Sequence, residues 1–193
     1  MIRRRQILLW MAAVFFLIPT AKADPSSTWA IDYAQSRLGF QGVQSSSPFE
    51  GSFKTFQVRI DLDPQTPEKG HIIATIDTGS ATTGDDDRDH YLPQKDWFNS
   101  AAFPQAQFQS DHIVKTGVDQ YLAQGTLTIK GMSHALALPF TLKSEGDHWH
   151  AQSKVPLSRL DFQVGQGDWS SEEYVNHAVN VVIDLVARPL QKN

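Results

Sequence analysis

The stretch "YLAQGTLTIKGMSHALALPFTLK", residues 121–143, decides the fold. Apolar and polar residues alternate along both of its halves, as is typical of β-strands with one buried face. The apolar positions are Tyr121, Ala123, Gly125, Leu127 and Ile129 in the first half and Leu136, Leu138, Phe140 and Leu142 in the second. A short glycine-containing link at residues 130–133 joins the halves, so the stretch predicts a β-hairpin.

The same period of two continues through most of the chain. The final predicted strand, residues 174–187, places His177 on an apolar face with Val175, Val179 and Val181. Residues 49–63 change phase, since Phe49 and Phe53 occupy odd positions and the following apolar residues even ones. This slip predicts a β-bulge near Lys54 and Thr55. Shorter strands are predicted at residues 28–31, 37–44, 71–78, 106–115, 149–155 and 158–163.

The number and length of these segments predict an all-β protein. About eight long, bent, antiparallel strands favour a closed β-barrel, because closure leaves no exposed edge. A sandwich of two sheets has the same alternation and remains the alternative.

The N-terminal residues predict export. Arg3, Arg4 and Arg5 precede an apolar run of a dozen residues, and small residues follow at 21–23. This is the pattern of a cleaved signal peptide over residues 1–23. We therefore expect a periplasmic protein with one domain at residues 24–193.

Charge and cysteine content exclude several classes of function. Loss of residues 1–23 would remove four of the 17 basic residues and none of the 21 acidic ones, changing the formal charge from -4 to -8. Nucleic acids and anionic membranes bind basic surfaces, so neither is an expected partner. The absence of cysteine excludes disulfides, thiolate metal sites and covalently attached haem.

The segment "GDDDRDHYLPQKDWFNS", residues 84–100, interrupts the strand pattern. It predicts a short helical loop segment limited by Pro93, with aspartates at the helix start. The aspartates could instead hold Ca²⁺, but the glycine and the terminal glutamate of an EF-hand loop are missing. We expect the aspartates to face water.

No residue pattern nominates a catalytic site. There is no Gly-x-Ser-x-Gly elbow, and the serines occur in turn-like clusters. His148 and His150 have a chelating spacing without an evident third ligand. We therefore predict neither an enzyme nor a metal site. The alternative is a metal- or haem-linked enzyme or electron-transfer accessory that uses His90, His148, His150 or His177.

Aromatic residues recur on the strand faces. An eight-stranded barrel has an interior that side chains just fill or that holds one small ligand, and periodicity leaves both possibilities open. The aromatic residues concerned are Phe40, Phe49, Phe53, Phe56, Phe108, Phe140, Phe162, Trp29, Trp97, Trp149 and Trp169.

A series of motifs in order resembles the YceI family over residues 29–187. The motifs are "WAID" at 29–32, "FEGSF" at 49–53, "RDHYL" at 88–92, "WF" at 97–98, "FPQAQFQS" at 103–110, "GTLTIKG" at 125–131 and "RLDFQVG" at 159–165. The resemblance implies an extended, lipocalin-like antiparallel barrel that encloses an isoprenoid lipid, such as a quinone or a polyprenyl phosphate. It implies no other cofactor.

The resemblance also nominates ligand-binding residues. The helical loop would cover the barrel, with Leu92, Trp97 and Phe98 facing the cavity. Arg88 could meet a phosphate, but we expect Arg88 and Asp89 to pair with each other or to cap the helical turn instead. The remaining candidates line the barrel or lie on its last strand: Phe40, Phe49, Phe53, Phe108, Phe140, Phe162 and His177.

The sequence suggests two further partners. "PFEGSF" at 48–53 and "GQGDW" at 165–169 resemble a subgroup that accompanies membrane cytochromes of the b561 type. The long strands could also pair in a homodimer.

Overall fold

The computed structural model describes residues 28–190, which form one antiparallel sheet of eleven strands. The described residues also contain a short α-helix, α1 (Asp86–Tyr91), and four 3-10 turns, Pro67–Lys69, Thr78–Ser80, Arg159–Phe162 and Gly167–Ser170. The strands are β1 (Trp29–Ile31), β2 (Arg37–Gln44), β3 (Ser47–Phe53), β4 (Phe56–Asp61), β5 (His71–Asp77), β6 (Ala81–Thr82), β7 (Gln105–Gly117), β8 (Gln120–Ile129), β9 (Met132–Glu145), β10 (His148–Ser158) and β11 (Ala178–Pro189).

The sheet curls on itself. Its strands follow the order β4-β5-β7-β8-β9-β10-β11-β2-β3-β6, and β1 pairs with β11 beside this path. β3 and β4 are halves of one long strand, separated only by Lys54 and Thr55. Since β3 pairs with β2 and β4 pairs with β5, this strand joins the two ends of the path. The predicted all-β, lipocalin-like antiparallel barrel with a short helical segment is confirmed.

The irregularity predicted at Lys54 and Thr55 is present. It lies opposite the turn Thr78–Ser80, which separates β5 from β6. The Lys54 amide donates to the Ser80 carbonyl at 3.1 Å, and the Asp77 amide donates to the Thr55 carbonyl at 3.0 Å. The turn Thr78–Ser80 therefore lets both strands bend while they stay paired. When β3 with β4 and β5 with β6 are each counted as one strand, and the three-residue β1 is set aside, the barrel has the predicted eight long strands.

The hairpin of β8 and β9 supplies much of the core. Tyr121 lies opposite Phe140, and their rings stack with centroids 5.3 Å apart. The turn consists of Lys130 and Gly131, both with positive φ, 51° and 76°. This geometry matches the twist of the flanking strands and favours glycine, which explains its place in the quoted stretch. Ala123 in this hairpin is fully buried.

Two strand predictions in the last third of the chain are wrong. The separate strand predicted at residues 158–163 does not exist, because Ser158 is the last residue of β10 and the backbone then turns through Arg159–Phe162 into Gln163, whose φ is 55°. The final strand begins at Ala178 rather than at residue 174. His177 therefore precedes β11.

Among residues 28–190, no helix has the length and apolar character that a membrane span requires. The predicted signal peptide lies outside the described residues.

Candidate ligand-binding cavity

The barrel interior contains two cavities that meet. The upper cavity has a volume of about 300 Å³ and the lower cavity about 160 Å³. Apolar ligand pockets in proteins span roughly 300–1,000 Å³, so the upper cavity alone reaches the lower end of that range. Five residues line both cavities and define their junction: Phe53, Phe98, Ile129, Leu157 and Val181.

The lower cavity is lined almost entirely by apolar side chains. Gln152 and Ser153 are the polar residues in its lining. Trp29 and Trp149 form its floor, with ring centroids 5.7 Å apart and planes at 89°. The Trp29 indole N–H donates to the Leu62 carbonyl at 2.8 Å, which fixes the ring. A long apolar chain entering from above would end at this tryptophan pair.

Side chains do not fill this interior. Ala151, Val181 and Ile183 face inward from β10 and β11, yet each remains partly accessible. In a close-packed core, inward apolar side chains have few voids around them. The partial accessibility of these residues therefore reflects the hollow that the sequence pattern could not distinguish from a filled barrel.

Aromatic rings form one wall of the upper cavity. The Phe40 ring lies 6.4 Å from that of Phe49 and 5.5 Å from that of Phe53, measured between centroids. Phe40 pairs across the sheet with Gly51. A Cβ atom at Gly51 would lie 2.2 Å from the Phe40 ring, so only glycine lets the ring lie flat over that strand.

The helical loop covers this wall as predicted. Asp85 caps α1, because its carboxylate accepts from the Arg88 amide at 3.0 Å. After the helix, Leu92 is buried and Trp97 and Phe98 join it in the cavity lining. The Phe98 ring contacts the Phe53 ring at 5.7 Å, which places the loop directly on the junction.

A second loop completes the cover. The Trp169 ring, in the turn Gly167–Ser170, lies 5.1 Å from the Tyr91 ring and 5.7 Å from the Trp97 ring. The two loops are therefore held together by aromatic contacts above the upper cavity.

The open end of the upper cavity, here called the mouth, carries the polar residues Gln44, Thr83, Asp85, Asp87 and Arg88. Two expectations are corrected there. Asp85 and Asp87 line the mouth instead of facing only water, and Arg88 forms its ion pair with Asp85 at 3.4 Å rather than with Asp89. The reason is geometric, since the Arg88 guanidinium lies over the Phe49 ring, 5.2 Å from its centroid.

Asp89 turns away from Arg88 to bind the preceding segment. Its carboxylate accepts from the Thr83 amide at 2.6 Å and from the hydroxyls of Thr82 and Thr83. Burial alone would raise the pKa of Asp89, but these hydrogen bonds outweigh it and hold the pKa below its ordinary value. Asp89 thus fastens α1 to β6.

Arg159 lies at the cavity but is not among the ligand residues predicted from the sequence. It lines the upper cavity with only 5% of its surface exposed, and its five hydrogen bonds all go to backbone carbonyls. Burial lowers its pKa, and Glu172 partly opposes that shift. Gly165, with φ of 76°, leaves room for the guanidinium, because a Cβ there would lie 2.1 Å from Nη1. Arg159 organises the loop between β10 and β11.

The structure places ten of the predicted ligand residues on the cavities. Those on the upper cavity are Phe40, Phe49, Phe53, Arg88, Leu92, Trp97, Phe98 and Phe162, and those on the lower cavity include Phe53, Phe98, Phe108 and Phe140. His177 is the exception and is corrected. Its ring contacts the Ser170 carbonyl at 2.8 Å and the Glu172 carboxylate at 3.5 Å, outside both linings, because β11 starts only after it.

The other histidines considered for a metal or haem site contact carboxylates or a ring. His150 binds Asp184 and lies 3.6 Å from Glu145, and His148 lies 3.1 Å from Asp147. His90 contacts the ring of Tyr91. Within residues 28–190, no three His, Cys, Asp or Glu side chains are grouped so that they could hold a metal ion.

A curled antiparallel barrel around an apolar hollow, covered at one end by a helical loop, defines the class of β-barrels with an internal ligand-sized cavity. The chain belongs to the YceI-like domain family, whose model matches residues 29–187. The family resemblance seen in the motifs is thereby confirmed.

Individual relatives agree with this assignment. UPF0312 protein plu2095 of Photorhabdus laumondii is 32% identical over 130 residues, covering 63% of this chain and 67% of that protein. Protein YceI of Escherichia coli is 30% identical over 130 residues, covering 63% of this chain and 68% of that protein.

Solved structures share the fold. Burkholderia cenocepacia BcnA superposes with a TM-score of 0.79 at 32% identity, over 81% of this chain and 99% of that one. A polyisoprenoid binding domain from Saccharophagus degradans has a TM-score of 0.64 at 14% identity, over 85% of this chain and 99% of that one. At that identity the second likeness concerns the fold alone.

Proposed function

We propose that this protein is a periplasmic binding and carrier protein for an isoprenoid lipid. The observation that supports the proposal is the pair of joined cavities, whose lower part is lined almost entirely by apolar side chains and ends at Trp29 and Trp149. The shape suits a ligand with a polar head at the mouth and a long apolar tail below. The Saccharophagus domain with the same fold is described as polyisoprenoid-binding.

The energetics favour recognition through the tail. Each methylene removed from water contributes about 0.8 kcal/mol, so a tail of about twenty carbons offers roughly 16 kcal/mol before ordering costs. Non-covalent affinity saturates near 18–21 kcal/mol. The tail alone can therefore supply strong binding, and the protein needs no catalytic group.

Location and partners extend the proposal. An exported carrier of this kind would move its lipid through the periplasm, and a quinone would suit a membrane cytochrome of the b561 type, the partner that the subgroup motifs suggest. A homodimer formed through the long strands is also part of the proposal. Sedimentation of the purified protein with and without lipid would measure its oligomeric state.

The experiment is native mass spectrometry of protein purified without detergent, followed by solvent extraction of any bound molecule. The expected result is a co-purifying apolar molecule with an isoprenoid tail. Ala151→Trp should abolish its retention, because the new ring would occupy the lower cavity. Lys154→Trp places the same ring at an exposed position three residues along β10 and is the matched control.

Two results would contradict the proposal. One is a clean unliganded mass from several expression hosts together with no uptake of added isoprenoid. The other is equal retention by the wild-type protein and Ala151→Trp, which would place the ligand outside the barrel.

A further inference from the structure

The mouth of the upper cavity contains an arginine, Arg88, and two aspartates, Asp85 and Asp87. A phosphate head group carries about -1.5 to -2 charges and needs several donors once it leaves water. A carbonyl or hydroxyl head group needs one or two hydrogen bonds. The donors that remain at the mouth therefore determine which head group the cavity accepts.

Arg88 is largely engaged. Its Nε donates to the Thr83 hydroxyl at 3.1 Å, its Nη1 donates to the Gln44 side-chain carbonyl at 3.3 Å, and its Nη2 lies 3.4 Å from the Asp85 carboxylate. Each guanidinium nitrogen already has one acceptor, which leaves one N–H on each terminal nitrogen for a head group. The Asp85 carboxylate offsets the positive charge, so these two N–H groups suit a carbonyl or hydroxyl better than a doubly charged phosphate.

Arg159 offers even less. Its guanidinium has five N–H groups, and five backbone carbonyls accept from it: those of Val164, Gly165, Trp169, Val175 and Asn176. It is therefore a structural cation enclosed by carbonyl oxygens. An anion in the cavity would approach it without gaining a hydrogen bond.

Carboxylates complete the mouth. Asp85 and Asp87 both line it, and Asp87 is exposed and has no ion-pair partner among residues 28–190, whereas Arg88 pairs with Asp85. An anionic head group at the mouth would therefore lie close to negative charge.

From these contacts we propose that the protein selects isoprenoids with an uncharged head group, such as a quinone or a prenyl alcohol, and excludes prenyl phosphates. This inference rests on the proposed function, since it presumes that the tail occupies the barrel. Asp85 and Asp87 are then the residues that determine specificity. Asp85 acts both directly and by offsetting the charge of Arg88.

The test compares geranylgeraniol with geranylgeranyl phosphate, which share one tail and differ in the head group. Lipid-free protein is titrated with each, and binding is followed by tryptophan fluorescence, since Trp97 and Trp169 line the upper cavity. The alcohol should bind at least about tenfold more tightly than the phosphate.

Variants assign the cause. Asp85→Asn keeps a helix cap but frees Arg88, and together with Asp87→Asn it should raise phosphate affinity about tenfold while alcohol affinity stays constant. Asp86→Asn removes the same charge from a neighbouring exposed residue outside the cavity lining and should change neither affinity appreciably.

The outcomes separate the two proposals. Equal or tighter binding of the phosphate, lost in Arg88→Gln, would overturn the head-group inference and leave the carrier function standing. Failure of both lipids to bind would overturn the carrier function and the inference with it. A preference for the alcohol that the aspartate variants leave unchanged would overturn the role given to Asp85 and Asp87.

Discussion

Ala151→Leu should stabilise the lipid-free protein, although most enlargements of interior residues are destabilising. Ala151 faces the lower cavity from the middle of β10 and is partly accessible there. A leucine at this position would extend into empty space between the walls. The same substitution at Ala123, which is fully buried in the packed part of the core, should be destabilising.

The magnitude follows from the atoms added. Leucine has three more carbons than alanine, which at about 0.8 kcal/mol each gives about 2.4 kcal/mol as an upper limit. Restriction of the leucine rotamers costs about 0.5–1 kcal/mol. The free energy of unfolding of Ala151→Leu should therefore rise by about 1.5 kcal/mol. Overpacking at Ala123 should lower it by about 1–3 kcal/mol.

The assay is equilibrium unfolding in urea, after bound lipid has been removed by a hydrophobic resin. With unchanged m-values, the midpoint for Ala151→Leu should rise by about 0.5–1 M. A fall in its unfolding free energy similar to that of Ala123→Leu would refute the reasoning. Such a result would mean that the space beside Ala151 closes in solution and that the barrel is filled.

Trp149→Ala should bind longer isoprenols than the wild-type protein in native mass spectrometry, because it opens the floor of the lower cavity, whereas Trp149→Phe should not. An unchanged maximum length in the alanine variant would contradict the role of the floor. Arg159→Met should lower the free energy of unfolding in urea by about 3–5 kcal/mol, because several buried carbonyls lose their donor. A loss below about 1 kcal/mol would show that water replaces the guanidinium easily. Asp89 has a folded pKa below its ordinary value of 3.8, so the stability it contributes is present above about pH 5 and is lost as the pH falls through 3.8 towards the folded pKa. The difference in unfolding free energy between wild type and Asp89→Asn should therefore narrow between about pH 5 and pH 3, and a constant difference would argue against the bonds from Thr82 and Thr83 as the cause.

Features encoded by neighbouring residues could be predicted from the sequence. The hairpin of β8 and β9 follows from alternation and a glycine-containing link, and the break at Lys54 and Thr55 follows from a single phase slip. The helix start at Asp85 follows from capping chemistry. Each of these signals acts within a few residues, so it can be read without knowledge of the fold.

Features that depend on distant contacts could not be predicted. The segment after Ser158 alternates like a strand, but Arg159 draws the backbone into a turn by bonding carbonyls as far along the chain as Asn176. Arg88 and Asp89 are adjacent in sequence, but their partners are set by Phe49 on β3 and by Thr82 on β6. Neither choice has a local signature.

The hollow depends on residue volume as well as on polarity. Along the inner face of β10, Ala151 and Ser153 are small, whereas Trp149 below and Leu157 above are large. On the opposite part of the lining, β5 contributes Ala74 between larger neighbours. The alternation of apolar and polar residues shows that most of these side chains point into the barrel. Whether small side chains lie opposite one another depends on strand tilt and stagger, which the alternation does not determine. The space for the tail therefore lies where small side chains from different strands face each other, and Trp29 and Trp149 limit its depth. A few substitutions at these positions should change which ligand binds without changing the fold.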